Sequence, residues 1–330
     1  MQTSPDQPIR VSIVIPVYNG RESLPELLAG IARTMDGRHE YEVIAVNDGS
    51  PDDSLDVLRR LAGQHPRLRI LDLAKNAGQE NAILAGFECV RGEFVVCMDD
   101  DLQHDPADIP KLLDALGEKD LDIVFARFVQ NAGGSFRRFG TWMNDRMMSF
   151  VIGKPAGLVL SSFLAMRRYL ARKAGEFQGP YPYLAGQYLS LTSRVGNVDL
   201  VQHPRRYRQS NYSLRKLLGV WASGLVNFGL APLRLMLWLG LALMAVVAVL
   251  VVLLIVNRLV YGNLVPLGWT SLTILVLSLA SLQMLALGLL GEYLGRVLMT
   301  ATRYPRFCVR RRYNFADAAA GRGGEGDEAP

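Results

Sequence analysis

From Leu235 to Asn257, and again from Leu259 to Gly291, the chain carries no Asp, Glu, Lys or Arg. Each run exceeds the roughly 20 residues that a helix needs to cross the hydrocarbon of a bilayer. Two such runs, split only by Arg258, predict a helical hairpin in a membrane, with spans at about 235–257 and 266–290. The net charge of +5 and pI near 9.1 do not point to nucleic acid, because the basic residues gather beside the apolar runs. Arg205, Arg206, Arg208, Arg215, Lys216 and Arg234 precede the first, and Arg296, Arg303, Arg306, Arg310, Arg311 and Arg312 follow the second. Positive-inside logic therefore places both flanks, both termini and the domain ahead of the hairpin on the cytoplasmic side of an inner membrane. The basic excess faces anionic lipid head groups.

The first 230 or so residues read differently, mixing charged and apolar residues as a water-soluble protein does. Val11–Pro16 is a β-branched run ended by Pro-Val-Tyr-Asn-Gly, after which Leu24, Leu27, Leu28 and Ile31 recur at helical spacing. This change of period from two to 3.6 marks strand, turn and helix. The unit returns with strands at Glu42–Val46, Leu68–Leu73, Phe94–Met98 and Asp122–Ala126, all but the last followed by a helical pattern. Such alternation predicts an α/β domain, a mostly parallel sheet with helices on both faces. Cys89, Cys97 and Cys308 show no paired spacing, which fits a reducing compartment. The short polar start before Val11 does not read as a signal peptide.

In open parallel sheets, ligands bind outside the carboxyl ends of the strands. Four segments should therefore share one rim: Pro16–Asn19, Asn47–Ser50, Asn76–Gln79 and Asp99–Gln103. The last of these is the most pointed. Asp99, Asp100 and Asp101 emerge from the apolar run Phe94–Cys97, with Gln103 two residues on. Mg²⁺ and Mn²⁺ favour one or two carboxylates together with water and phosphate oxygens. Alternation along the emerging strand puts Asp99 and Asp101 on one side, as metal ligands with Gln103, and Asp100 on the other, where substitution should be tolerated. An acidic turn capping the helix that begins near Pro106 gives the same pattern.

Farther on, Arg127 ends the fifth strand, and Arg137 and Arg138 open an amphipathic helix that reaches about Ile152. These arginines suit a phosphate through forked donors, and a solvated basic face explains the latter two equally well. Ser161–Arg168 should return to the sheet and run into a helix, and Arg194–Val201 should add a short strand. The segment 203–232 reads as a basic interfacial helix carrying Trp221, or alternatively as a buried helix of the soluble domain. The expected division is thus a catalytic domain at 1–202, the interfacial segment at 203–232, the hairpin at 233–296, and a basic then disordered tail at 297–330. Gly288, Gly291 and Gly295 let helices approach closely, so the spans pack together or against a second copy as a homo-oligomer.

In their order, IPVYNG (15–20), NDGS (47–50), GQENAILAGF (78–87), DDDLQHDP (99–106), SNYS (210–213) and LLGEYLGR (289–296) resemble the membrane-bound polyprenyl-phosphate glycosyltransferases of glycosyltransferase family 2. The resemblance spans Val11 to about Val309. It implies a GT-A fold and inverting, metal-dependent transfer of one sugar from a nucleotide-sugar donor, here a UDP-sugar, to a polyprenyl (undecaprenyl) phosphate. It also implies that Pro16, Tyr18, Asn19, Asn47, Asp48 and Gln79 hold the donor, and that Asp99, Asp101 and Gln103 meet the metal and diphosphate. Arg127, Arg205 and Ser210 fall where the family binds the acceptor phosphate or the diphosphate. Asp99, Asp101, Arg127 and Arg205 are the expected catalytic set. Three positions depart from the pattern: Asn47 replaces a frequent Asp, Arg208 a usual glycine, and Leu158 an Asp proposed as catalytic. A sugar hydroxyl acceptor would need that base, whereas a phosphate monoester, with a second pKa near 6, is already an oxyanion at pH 7. The competing expectations are a processive polysaccharide synthase of the same fold and an inactive scaffold that binds nucleotide sugar.

Overall fold

The computed structural model describes residues 9–128, 154–177, 182–201, 269–301 and 305–315, with single positions between 238 and 260. Arg137, Arg138, Arg205, Ser210, the interfacial segment and most of the first apolar run lie outside these residues.

The strands are β1 (Val11–Val17), β2 (Tyr41–Asn47), β3 (Leu68–Leu73), β4 (Phe94–Cys97), β5 (Ile123–Phe128), β6 (Leu164–Arg167), β7 (Val195–Leu200) and β8 (Val309–Tyr313). The helices are α1 (Leu24–Met35), α2 (Ser54–Ala62), α3 (Gln79–Phe87), α4 (Ile109–Glu118, behind a 3₁₀ turn at Pro106–Asp108), α5 (Arg168–Gly175), α6 (Leu184–Leu191) and α7 (Trp269–Ala301). One sheet runs β7-β5-β6-β4-β1-β2-β3-β8. Only β6 and β8 oppose the others, so the expected mostly parallel sheet is present.

Central strands β1 and β2 are buried along their whole length, which is why their sequences are nearly continuous apolar runs. Pro16 is tolerated in β1 because the pairing with β4 ends at Val14↔Cys97, so its missing N–H costs no ladder bond on that side. One core layer packs α1, α2 and α4 on one sheet face, around Ile13, Leu27, Ile31 and Leu112; the other packs α3, α5 and α6 around Val14, Phe87, Phe125 and Tyr188. At the end of the sheet opposite the strands' carboxyl rim, Glu42 is buried and bound by Arg69 at 2.9 Å and Ser12 at 2.6 Å.

The last strand comes from beyond the apolar runs. Val309–Tyr313 pairs antiparallel with β3, and Arg69 lies 5.0 Å from the Phe315 ring. The sheet thus takes an edge strand from the basic stretch that follows the second apolar run. α7 is 33 residues long, and among the described residues no helix is long and apolar enough to cross a membrane.

Candidate active site

The carboxyl ends of β1, β2, β3 and β4 meet at a cleft of about 380 Å³ lined by Pro16, Tyr18, Asp48, Gln79, Asp99 and Asp101, among others. All four expected segments contribute to it. Their positions are set by hydrogen bonds between neighbouring loops. After β1, the Asn19 amide donates to Ser50 Oγ at 3.1 Å and the Gly20 amide to Ser54 Oγ at 2.9 Å. Asn19 adopts a left-handed φ of 55°, which Asn tolerates better than most residues, and its buried Oδ1 meets no hydrogen-bond partner among the described residues.

Asp100 does not behave as a spare acid. Its carboxylate is buried beneath the β1 loop and accepts from the Tyr18 amide at 3.4 Å, and a Cβ on Gly20 would run into it. Asp100 braces the loop that carries Tyr18, and it lines the cleft together with Asp99 and Asp101.

Asp48 performs a similar task between β2 and β3. Its two carboxylate oxygens accept from the amides of Ala77 at 2.6 Å and Gly78 at 3.0 Å. Burial pushes its pKa up, and the two amide bonds oppose that rise. Gly49 is needed beside it, since a Cβ there would stand 2.6 Å from the Asn76 nitrogen. Asn47, expected at the donor, instead stays in the sheet and donates from Nδ2 to Asp72 Oδ1 at 2.8 Å. An Asp at 47 would set two buried carboxylates against each other, so the departure at this position has a local cause.

Asp99 is held from both sides. Gln79 Nε2 donates to its Oδ1 and Ser162 Oγ to its Oδ2, both at 2.7 Å. Its own amide donates to Nδ1 of His104, a buried ring stacked between Phe128 and Phe163 at 5.6 and 4.9 Å. Asp101 accepts from the Gln103 amide at 3.2 Å, and Leu102 between them has a φ of 59°, a strained conformation for a non-glycine. Gln103 meets Asp101 through its backbone, and its side chain does not line the cleft. Among the described residues no cluster of three His, Cys, Asp or Glu could cage a metal. Two cleft carboxylates, Asp99 and Asp101, nevertheless fit Mg²⁺ or Mn²⁺, which usually take one or two carboxylates and complete their shell with water and phosphate oxygens.

Arg127 is committed elsewhere. It forms a two-pronged ion pair with Asp199, its register partner on β7, with Nη2 2.8 Å from Oδ2. The pair raises the pKa of Arg127 and lowers that of Asp199. It lies outside the cleft lining. Leu158 is buried in the core, and its carbonyl accepts from Lys154 Nζ at 2.5 Å. Ser162 and His104 were not foreseen. Ser162 had only its place ahead of a strand to mark it, and His104 its position five residues beyond Asp99.

A mostly parallel sheet with carboxylates at the β4 rim is the architecture of nucleotide-sugar glycosyltransferases of the GT-A type. The family model for glycosyl transferase family 2 matches residues 12–175, and the chain belongs to that family and is a glycosyltransferase. Its relatives are closer than the family alone requires. It is 33% identical over 309 residues to the undecaprenyl-phosphate 4-deoxy-4-formamido-L-arabinose transferase of Photorhabdus laumondii, covering 92% of this chain and 94% of that one. The Pseudomonas fluorescens protein of the same description is 33% identical over 321 residues, covering 94% and 92%. The crystal structure of Mycobacterium tuberculosis glucosyl-3-phosphoglycerate synthase with Mn²⁺, uridine diphosphate and glucosyl-3-phosphoglycerate aligns over 66% of this chain and 78% of that one. Its TM-score is 0.49, at 19% identity.

Proposed function

We propose that this protein transfers one sugar from a UDP-sugar to undecaprenyl phosphate at the cytoplasmic face of a membrane, with inversion at the anomeric carbon. The observation that carries this reading is the convergence of four loop ends on a cleft whose floor presents Asp99 and Asp101. An acceptor phosphate oxygen attacks the anomeric carbon, a carbon–oxygen bond forms, and the bond from that carbon to the diphosphate breaks with UDP leaving. Asp99 and Asp101 would hold a Mg²⁺ or Mn²⁺ ion, which would supply positive charge at the departing diphosphate. The chain's own part is alignment. Tyr18 and Asp48 flank the nucleotide, and Gln79 and Ser162 hold Asp99 in one orientation so that little reorganisation is left for the reaction.

No base is required, because the acceptor arrives as an oxyanion. A leucine at 158, buried in the core, is compatible with that acceptor and unsuited to one that must lose a proton. Arg205 and Ser210 are assigned to the acceptor phosphate on the family resemblance; Arg127, bound to Asp199, is not.

The membrane assignment rests on apolar surface. Along α7, Leu272, Val276, Leu287, Leu290 and Leu294 are exposed, and no acid or base precedes Glu292 in the helix. A monomer in water rarely exposes so many large apolar side chains along one helix, and we assign this surface to lipid. Detergent-purified protein given labelled UDP-sugar, Mg²⁺ and undecaprenyl phosphate should yield a label that extracts into organic solvent as a monoglycosylated lipid. A polymeric product, or UDP-sugar binding with no lipid-linked product from any donor, would refute the proposal.

A further inference from the structure

Beside the nucleotide cleft lies a second cavity, of about 290 Å³, between α3, the loop entering β6, and α6. The two share Gln79 and are divided by the Asp99 carboxylate, which Gln79 and Ser162 grip from the side-pocket wall. The cavity therefore adjoins the part of the cleft where Asp99 stands, within reach of a group attached to the terminal phosphate of a nucleoside diphosphate bound there. Its floor is apolar, formed by Ile83, Phe125, Leu164 and Tyr188. Its polar groups are few: Gln79, Glu80, Ser161, Ser162 and Tyr183. That combination, an apolar floor with a small number of placed polar groups, is the usual make-up of a small-ligand site, and the volume stands at the low end of the roughly 300–1,000 Å³ range, enough for one sugar ring.

We propose that this side pocket receives the transferred sugar, with Glu80 and Tyr183 reading its hydroxyl or amino substituents, and that it rejects sugars bearing a carboxylate. The inference rests on the functional reading above. Among the described residues no Lys or Arg lines the pocket, and the Glu80 carboxyl in it opposes a sugar acid. Burial pushes the Glu80 carboxyl up to about 7 against the hydrogen bond from the Leu184 amide. It can therefore donate to or accept from a sugar hydroxyl, or pair with an ammonium. Burial and the nearby Glu80 charge raise the Tyr183 pKa, which keeps that phenol a neutral donor. A site built to hydrogen-bond a substituent discriminates strongly against ligands that leave its buried groups unpaired.

The test compares UDP with a UDP-hexose, a UDP-hexosamine and a UDP-uronate by calorimetry on the full chain in detergent with Mg²⁺, for the parent protein, Glu80→Gln and Tyr183→Phe. UDP should bind all three within about twofold. The extra affinity of the preferred UDP-sugar over UDP should fall about tenfold in Glu80→Gln and less in Tyr183→Phe, and the UDP-uronate should gain in Glu80→Gln. An unchanged ratio of UDP-sugar to UDP affinity in both variants would overturn the subsite. So would an unchanged donor affinity with a lower kcat in a parallel transfer assay of Glu80→Gln, which would make the carboxyl a proton-transfer group. Failure of the parent protein to bind UDP would instead remove the functional reading beneath it.

Discussion

The two cavities that meet at Gln79 are built in different ways. The nucleotide cleft consists of loop ends, each a few consecutive residues, fastened by carboxylates that accept backbone amides: Asp100 from Tyr18, Asp48 from Ala77 and Gly78. The side pocket draws its side chains from six places, α3, β4, β5, the loop at 160–162, β6 and the start of α6. A diphosphate is the same in every donor, and a fixed rim of loops suffices to hold it. A sugar differs from its rivals by one substituent, and only surfaces assembled across several elements can sense that. The cleft should therefore govern rate for all donors alike, and the pocket the choice among them.

The largest effect is expected from Asp101→Ala. Loss of a carboxylate opposite the diphosphate should lower kcat/KM by about 10³-fold, some 4 kcal/mol, for every donor tested. A loss restricted to one donor would break the division between cavities. Chelation of divalent metal should reproduce the uniform loss in the parent protein, with recovery on adding Mg²⁺ or Mn²⁺.

Gly20→Ala comes next. The added methyl meets the Asp100 carboxylate, and because that group braces the loop, the stability cost should be about 2 kcal/mol, read as a lower Tm. An unshifted melting curve would show that Asp100 has room to move.

Glu80→Gln tests the pocket through pH. The folded-state pKa of about 7 lies above the ordinary 4.5, so the stability tied to protonated Glu80 is complete below pH 4.5 and is lost as pH rises through 7. Tyr183 and Tyr188, the titratable groups facing it, are both raised and stay neutral over this range. The variant should thus gain on the parent between pH 5 and pH 8, by on the order of 1–2 kcal/mol once partial solvation is allowed for. Parallel Tm profiles would mean that the carboxyl is solvated. The smallest effect is expected from Ser162→Ala, which removes the hydroxyl bond to Asp99 Oδ2. About 1 kcal/mol, or a fivefold lower kcat/KM, should follow, with UDP affinity retained.

The rim was legible because its residues are contiguous and each segment sits where a β-branched run gives way to Gly, Asn or Asp. What escaped notice depends on partners distant in sequence. Asn47 reads as a donor ligand until Asp72, on the next strand, is seen to take its amide. Glu80 reads as an acid favouring a helix start, and only the α6 segment around Tyr183 and Leu184 turns it into a pocket group. Strand β8 escaped for another reason. An edge strand pairs through its backbone, so Val309–Tyr313 can carry three arginines and still close the sheet, which leaves no hydrophobic pattern to read. The same arginines, next to an apolar run, look like a membrane flank.

That strand bears on how the protein is made. β3 acquires its outer partner from residues that a ribosome delivers only after α7 has been synthesised, so its edge waits uncovered through most of translation. An open edge is an invitation to pair with a neighbouring nascent chain. A product truncated after Ala301 should retain every cleft residue yet aggregate, and its soluble yield would report how much the late strand protects.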